Sequence, residues 1–99
     1  MDGVFSNCSI VAATKETLFS RVDREVVLLH MKSGEYYGLN SVGATIWDLI
    51  QEPKTVTQIR DVIVVKFNVE PHECDSDLEV FLREMHDKGL LEISNEKAT

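Results

Sequence analysis

The chain has 99 residues, 43% of them hydrophobic and 27% charged, which predicts one domain with a modest core. Its 17 acidic residues outweigh 10 basic ones for a net charge of −7, a balance that argues against nucleic-acid binding and suits a cationic peptide or protein partner. The longest apolar run, 62–65, is far short of a membrane span, and the N-terminus MDGVFSNCSIVAA lacks the basic start and apolar stretch of a signal peptide, so no membrane association and a cytoplasmic location are expected. Cys8 and Cys74 have no CxxC context and are expected to be free thiols.

Residues 1–9 show no clear period. Residues 17–21, TLFSR, are a candidate strand, 22–24 turn it, and 25–31, EVVLLHM, form a second strand rich in Val and Leu. The turn at 32–35 contains Gly34, which tolerates positive φ, and 36–39, YYGL, form a short aromatic third strand. The pattern then becomes helical. Asn40 and Ser41 are good N-caps, Val42, Ile46, Leu49 and Ile50 recur at helical spacing beside Trp47, and the helix stops before Pro53.

Thr55 caps a second helix with Val56, Ile59, Ile63 and Phe67 on one stripe. The β-branched Val62, Val64 and Val65 make a strand the rival reading, although VTQIRDV favours helix. Val64 and Val65 either thicken the core or mark an exposed partner face. Pro71 closes this segment, and Asp75 or Ser76 is expected to cap a third helix that carries Leu78, Phe81, Leu82 and Met85 and ends at Gly89. Leu90, Leu91 and Ile93 return to the core, and 95–99 form a tail. Strands followed by helices predict an α+β, winged helix-turn-helix-like domain over 1–99, with an ordered core at about 10–94.

No catalytic constellation emerges. His30, His72 and His86 occur in no HExxH or HxxxH spacing, and there is no GxxxxGK[ST] or GxGxxG. His72-Glu73-Cys74, read as a loop, contains metal-capable donors but lacks a second ligand pair, and a Cys–His nucleophile pair has no further support, so neither metal nor cofactor nor catalysis is expected. Two features ask for a reason. Tyr36 and Tyr37 alternate across the third strand, so one serves the core while the other is either an ordinary half-exposed tyrosine or part of a sheet edge open to an incoming strand. Asp77, Val80, Phe81 and Glu84 share a stripe of the third helix, either the flank of an amphipathic helix or the acidic wall of a peptide groove.

The stretch VLLHMKSGEYYGLNSVGATIW, followed by a T-V-x-x-I helix and by F-L-x-x-M-x-x-K-G-L-L, resembles the PqqD-like recognition elements of pathways that modify ribosomally made peptides. The resemblance spans about 17–93 and is strongest to the standalone leader-binding subunit of lasso peptide biosynthesis. It implies that a precursor's leader peptide adds to the third strand, at Glu35, Tyr36, Tyr37, Gly38 and Leu39, and lies against Asp77, Val80, Phe81 and Glu84 of the third helix. It also implies that Tyr37, Leu39, Val80 and Phe81 form pockets for leader anchors, and that the domain does no chemistry itself but presents the precursor to a leader-removing cysteine protease and a cyclase. Other members of the family serve radical peptide-modifying enzymes. A winged-helix DNA-binding regulator would need a basic recognition helix, which the acidic third helix is not. A metal or redox role would fall to Cys8, His72 and Cys74.

Overall fold

The computed structural model describes residues 9–95. Its elements are β1 (Ser9–Ala13), β2 (Thr17–Val22), β3 (Glu25–His30), β4 (Glu35–Leu39), α1 (Ser41–Leu49), β5 (Lys54–Thr55), α2 (Val56–Phe67), α3 (Pro71–Asp87) and β6 (Leu91–Asn95). The fold is α+β, with the expected meander present as the antiparallel sheet β2-β3-β4. The turn into β4 places Gly34 at φ 74°, in the left-handed region that a side chain disfavours.

A second antiparallel sheet, β5-β1-β6, is an addition to the expected plan. Its strands escape sequence reading because β5 has two residues and β1 pairs from Ser9↔Asn95 to Ala13↔Leu91, across almost the whole chain. The apolar residues after Gly89 thus reach the core as a strand, with Leu90 and Leu91 buried. Thr14 seals this corner by donating from its hydroxyl to the Gly89 carbonyl at 3.2 Å.

Each helix start has a local cause. Asn40 Oδ1 accepts the Gly43 N–H at 2.9 Å to cap α1. Thr55 and Gln58 form a reciprocal capping box on α2, which resolves the valine-rich segment as helix. Helix α3 begins four residues before the earlier of its expected caps. Pro71, read as a breaker, occupies the first turn, where its fixed φ is an asset, and Glu70 caps the helix by accepting the Glu73 N–H at 2.8 Å. His72, Glu73 and Cys74 are therefore helical, not a loop.

The core gathers Val11 of β1, Val26 and Leu28 of β3, Ile46 and Trp47 of α1, Ile59 of α2 and Leu82 of α3. Helix α2 contributes Ile59 and Ile63 as its buried residues, while Val64 packs from the flank and Val65 is 82% exposed. Of the two expected uses of these valines, Val64 takes the first and Val65 faces outward. Ion pairs tie helices to neighbours: Arg21 to Asp48, and Arg60 to Asp75 at 3.5 Å.

Gly89 follows α3 at φ 77°, and a Cβ there would lie 3.2 Å from His30 Nε2. Gly89→Ala is expected to destabilise the domain by about 1–2 kcal/mol through backbone strain and this close approach, measurable by urea unfolding.

Candidate functional site

Strand β4 pairs with β3 on one side and, among the described residues, with no strand on the other. Directly paired residues share a face, so Leu39, Tyr37 and Glu35 lie on the side of Val26, Leu28 and His30, while Gly38 and Tyr36 lie with Val27 and Leu29. The alternation anticipated for the two tyrosines is thereby explicit. Tyr37 is half-buried against the core, whereas Tyr36 is 71% exposed and extends a cross-strand row through Leu29 to Leu18 on the outer face. Tyr36 presents its backbone to the edge and its side chain away from the helices.

Two contacts link the inward side of β4 to α3 and its C-terminal end. At one end the Lys88 ammonium lies 5.6 Å from the centre of the Tyr37 ring. At the other, Gly43 separates Leu39 from Phe81: a Cβ on Gly43 would lie 3.2 Å from Leu39 Cβ and 3.4 Å from Phe81 Cε1. A glycine inside a helix is costly, so its presence in α1 signals close approach, here of the strand end and α3 to the same point. Phe81 is half-buried between these walls, while Asp77, Val80 and Glu84 are exposed on α3. Leu39 and Phe81 thus meet at Gly43, Tyr37 packs at the edge of the core beside Lys88, and Tyr36 lies on the outer face.

The Tyr37 hydroxyl donates to the Glu35 carboxylate. That hydrogen bond, with burial and the carboxylate's charge, pushes the phenol above its ordinary pKa. Glu35→Ala removes the bond and the charge, so Tyr37 is expected to ionise at lower pH, a change visible in the ultraviolet titration of its phenolate.

Asn40, the residue after β4, lines a pocket of about 340 Å³ between α1, α2 and α3. Its wall includes Val42, Gly43, Ile46, Ile63, Val69 and Phe81, with Glu73, Cys74 and Asp77 from the first half of α3. Sequence reading found Phe81 and Asp77 but missed the others, which come from three separate segments. Gly43 was the available signal. The Cys74 thiol is 5% exposed, and burial, together with the Asp75 charge, pushes its pKa up, so it is a protonated packing group. His72, two residues away, is exposed. Among the described residues no group of three His, Cys, Asp or Glu is placed to hold a metal ion, and Cys8 lies outside those residues.

The carboxylates of α3 divide by face. Asp75 is paired with Arg60, and Glu79 with Arg83 at 2.8 Å. Glu73, Asp77 and Glu84 form no ion pair among the described residues. Of the α3 carboxylates without an ion pair, Glu73 and Asp77 line the pocket and Glu84 continues their stripe. The bases of α2 are already engaged, Arg60 by Asp75 and Lys66 by the Thr45 hydroxyl at 3.3 Å.

Fold and site together define a winged-helix-like α+β domain in which β4 is an edge strand among the described residues and an apolar pocket beside its end carries acidic residues of α3. Residues 25–91 match the family model described as coenzyme PQQ synthesis protein D, and the chain belongs to this PqqD family. Among solved structures, one described as TbiB1 in complex with the TbiA(beta) leader peptide is 38% identical, aligns over 82% of this chain and 94% of that chain, and has a TM-score of 0.76. Another, described as lasso peptide synthetase B1 complexed with the leader peptide, aligns over 83% and 96% with a TM-score of 0.73; at 21% identity it supports the fold. No curated protein matches the chain at a significant level. No helix among the described residues is long and apolar enough to cross a membrane.

Proposed function

We propose that this protein is a non-catalytic recognition element of lasso peptide biosynthesis that binds the leader of a ribosomally made precursor. The leader adds as a strand to β4, along Glu35, Tyr36, Tyr37, Gly38 and Leu39, and is clasped from the other side by Asp77, Val80, Phe81 and Glu84 of α3. The observation that carries this reading is the edge of β4, unpaired among the described residues, in a chain 38% identical to a protein whose structure is described as a leader-peptide complex. Backbone hydrogen bonds supply affinity in such strand addition, and side-chain pockets supply selection. The whole of 1–99 acts as one recognition domain, in the cytoplasm.

The protein holds the precursor for other enzymes: a cysteine protease that removes the leader and a cyclase that closes the product. A second pathway, delivery to a radical peptide-modifying enzyme, would use the same strand edge and differ in the enzyme that follows. The test of leader binding is an anisotropy titration with a labelled synthetic leader from the precursor encoded beside this protein. A second leader with its aromatic and proline anchors replaced by alanine is the control. Saturable binding at micromolar concentration or tighter, lost in the control, is expected. An intact leader that fails to bind contradicts the proposal.

A further inference from the structure

We infer that His30 is a pH-responsive positioning residue for the edge strand: as a neutral imidazole it caps the turn that delivers β4, and its protonation opens that cap and weakens leader binding. This deepens the leader-binding reading and rests on it. The turn between β3 and β4 has the hydrogen-bond pattern of a helix start. The Gly34 N–H donates to the His30 carbonyl at 2.8 Å, and the Ser33 N–H donates to His30 Nδ1 at 3.3 Å. Asn40 caps α1 with the same spacing, its carbonyl accepting the Ala44 N–H and its Oδ1 the Gly43 N–H. His30 thus takes the capping place of a single turn that ends at the left-handed Gly34.

The hydrogen bonds fix the tautomer. A backbone N–H can only donate, so Nδ1 carries a lone pair and the imidazole proton sits on Nε2. The Ser33 hydroxyl also donates to Nδ1, at 3.1 Å, and its oxygen accepts the N–H of Glu35, the first residue of β4, at 3.3 Å. On its other side the ring reaches the end of α3, where a Cβ on Gly89 would lie 3.2 Å from Nε2. One half-buried imidazole therefore joins the start of the edge strand to the residue that follows α3.

Protonation puts a hydrogen on Nδ1. The Ser33 hydroxyl can rotate to accept from it, but the Ser33 amide cannot, so two donors face each other and the cap is lost. The start of β4 then loses the turn that holds it. The charged and titratable groups on the elements around the ring are Glu35 and Tyr37 on β4, the Glu16–Lys32 ion pair at 3.9 Å, and His86, Asp87 and Lys88 at the end of α3. Histidine is the side chain whose ordinary charge change falls between about pH 5 and 8. The other two histidines, His72 and His86, are exposed on α3 and serve as controls.

The test compares synthetic-leader affinity at about pH 7.5 and about pH 5.5, an interval over which an imidazole gains its proton, for the wild type, His30→Asn and the control His72→Asn/His86→Asn. Asparagine offers a capping oxygen at the same spacing, as Asn40 does, and does not titrate. The wild type and the control are expected to lose about threefold in affinity on acidification, the loss that one cap implies, while His30→Asn changes little between the two. Nitrogen-15 NMR of the leader-free wild type is the second readout: the Ser33 amide resonance is expected to move with the His30 titration. If the wild type and His30→Asn lose affinity alike, or if the Ser33 amide stays still while the His30 ring titrates, the His30 assignment is overturned and leader binding stands. If the leader does not bind the wild type at the higher pH, both are overturned.

Discussion

Gly38→Pro is expected to weaken leader binding by about 30- to 100-fold while leaving the domain folded. Proline removes a backbone donor and fixes φ, which a strand tolerates only at an edge and which an incoming strand cannot tolerate on the edge it uses. Losing about two ladder hydrogen bonds at about 1 kcal/mol each, plus distortion of the strand, gives this range. Gly38 is exposed, a Cβ there meets nothing within 4 Å, and among the described residues β4 has β3 on one side only, so no packing is lost. Arg21→Pro on β2 is the matched control, because Arg21, like Gly38, turns its N–H away from β3. It perturbs the opposite edge of the same sheet and should leave affinity unchanged. Circular dichroism establishes folding and anisotropy gives the affinities. A folded Gly38→Pro protein that binds normally would remove strand addition as the mechanism.

Leu82→Ala is expected to lower stability by about 3 kcal/mol, within the range for buried leucines. Leu82 is fully buried at the centre of α3, on the stripe that includes Cys74, Leu78 and Met85. That stripe presses α3 into the core and thereby holds the second wall of the groove. The loss is a large share of the roughly 5–15 kcal/mol that sustains a small domain, and for a chain of this size it corresponds to a fall in Tm of roughly 12–24 °C. Thermal unfolding checks it. Unchanged stability would mean that α3 is not anchored as described.

The sequence was most readable where structure is local. β2, β3 and β4 are consecutive strands joined by short turns, and the alternation of Tyr36 and Tyr37 follows from strand geometry alone. The stripe of α3 from Asp77 to Glu84 was equally legible, because helical spacing fixes which residues share a face. β1 was not, because its partners β5 and β6 lie at distant points of the chain and its own short, alanine-containing run carries little pattern. Pro71, expected to end the second helix, does not: α2 ends at Asn68 in the left-handed region, and Pro71 opens α3 behind its Glu70 cap. The pocket was invisible for a topological reason: Val42, Ile63, Val69 and Cys74 belong to different elements that meet only in the folded chain. Gly43 alone hinted at it, as a helix-disfavoured residue in an otherwise regular helix.

The most direct test of strand addition is amide hydrogen exchange across the sheet, measured with and without saturating synthetic leader peptide. Protection should rise along Glu35–Leu39 of β4, where new cross-strand hydrogen bonds form, and remain unchanged along Thr17–Val22 of β2. Leader binding accompanied by unchanged exchange in β4, or by protection of β2 in its place, would contradict the account.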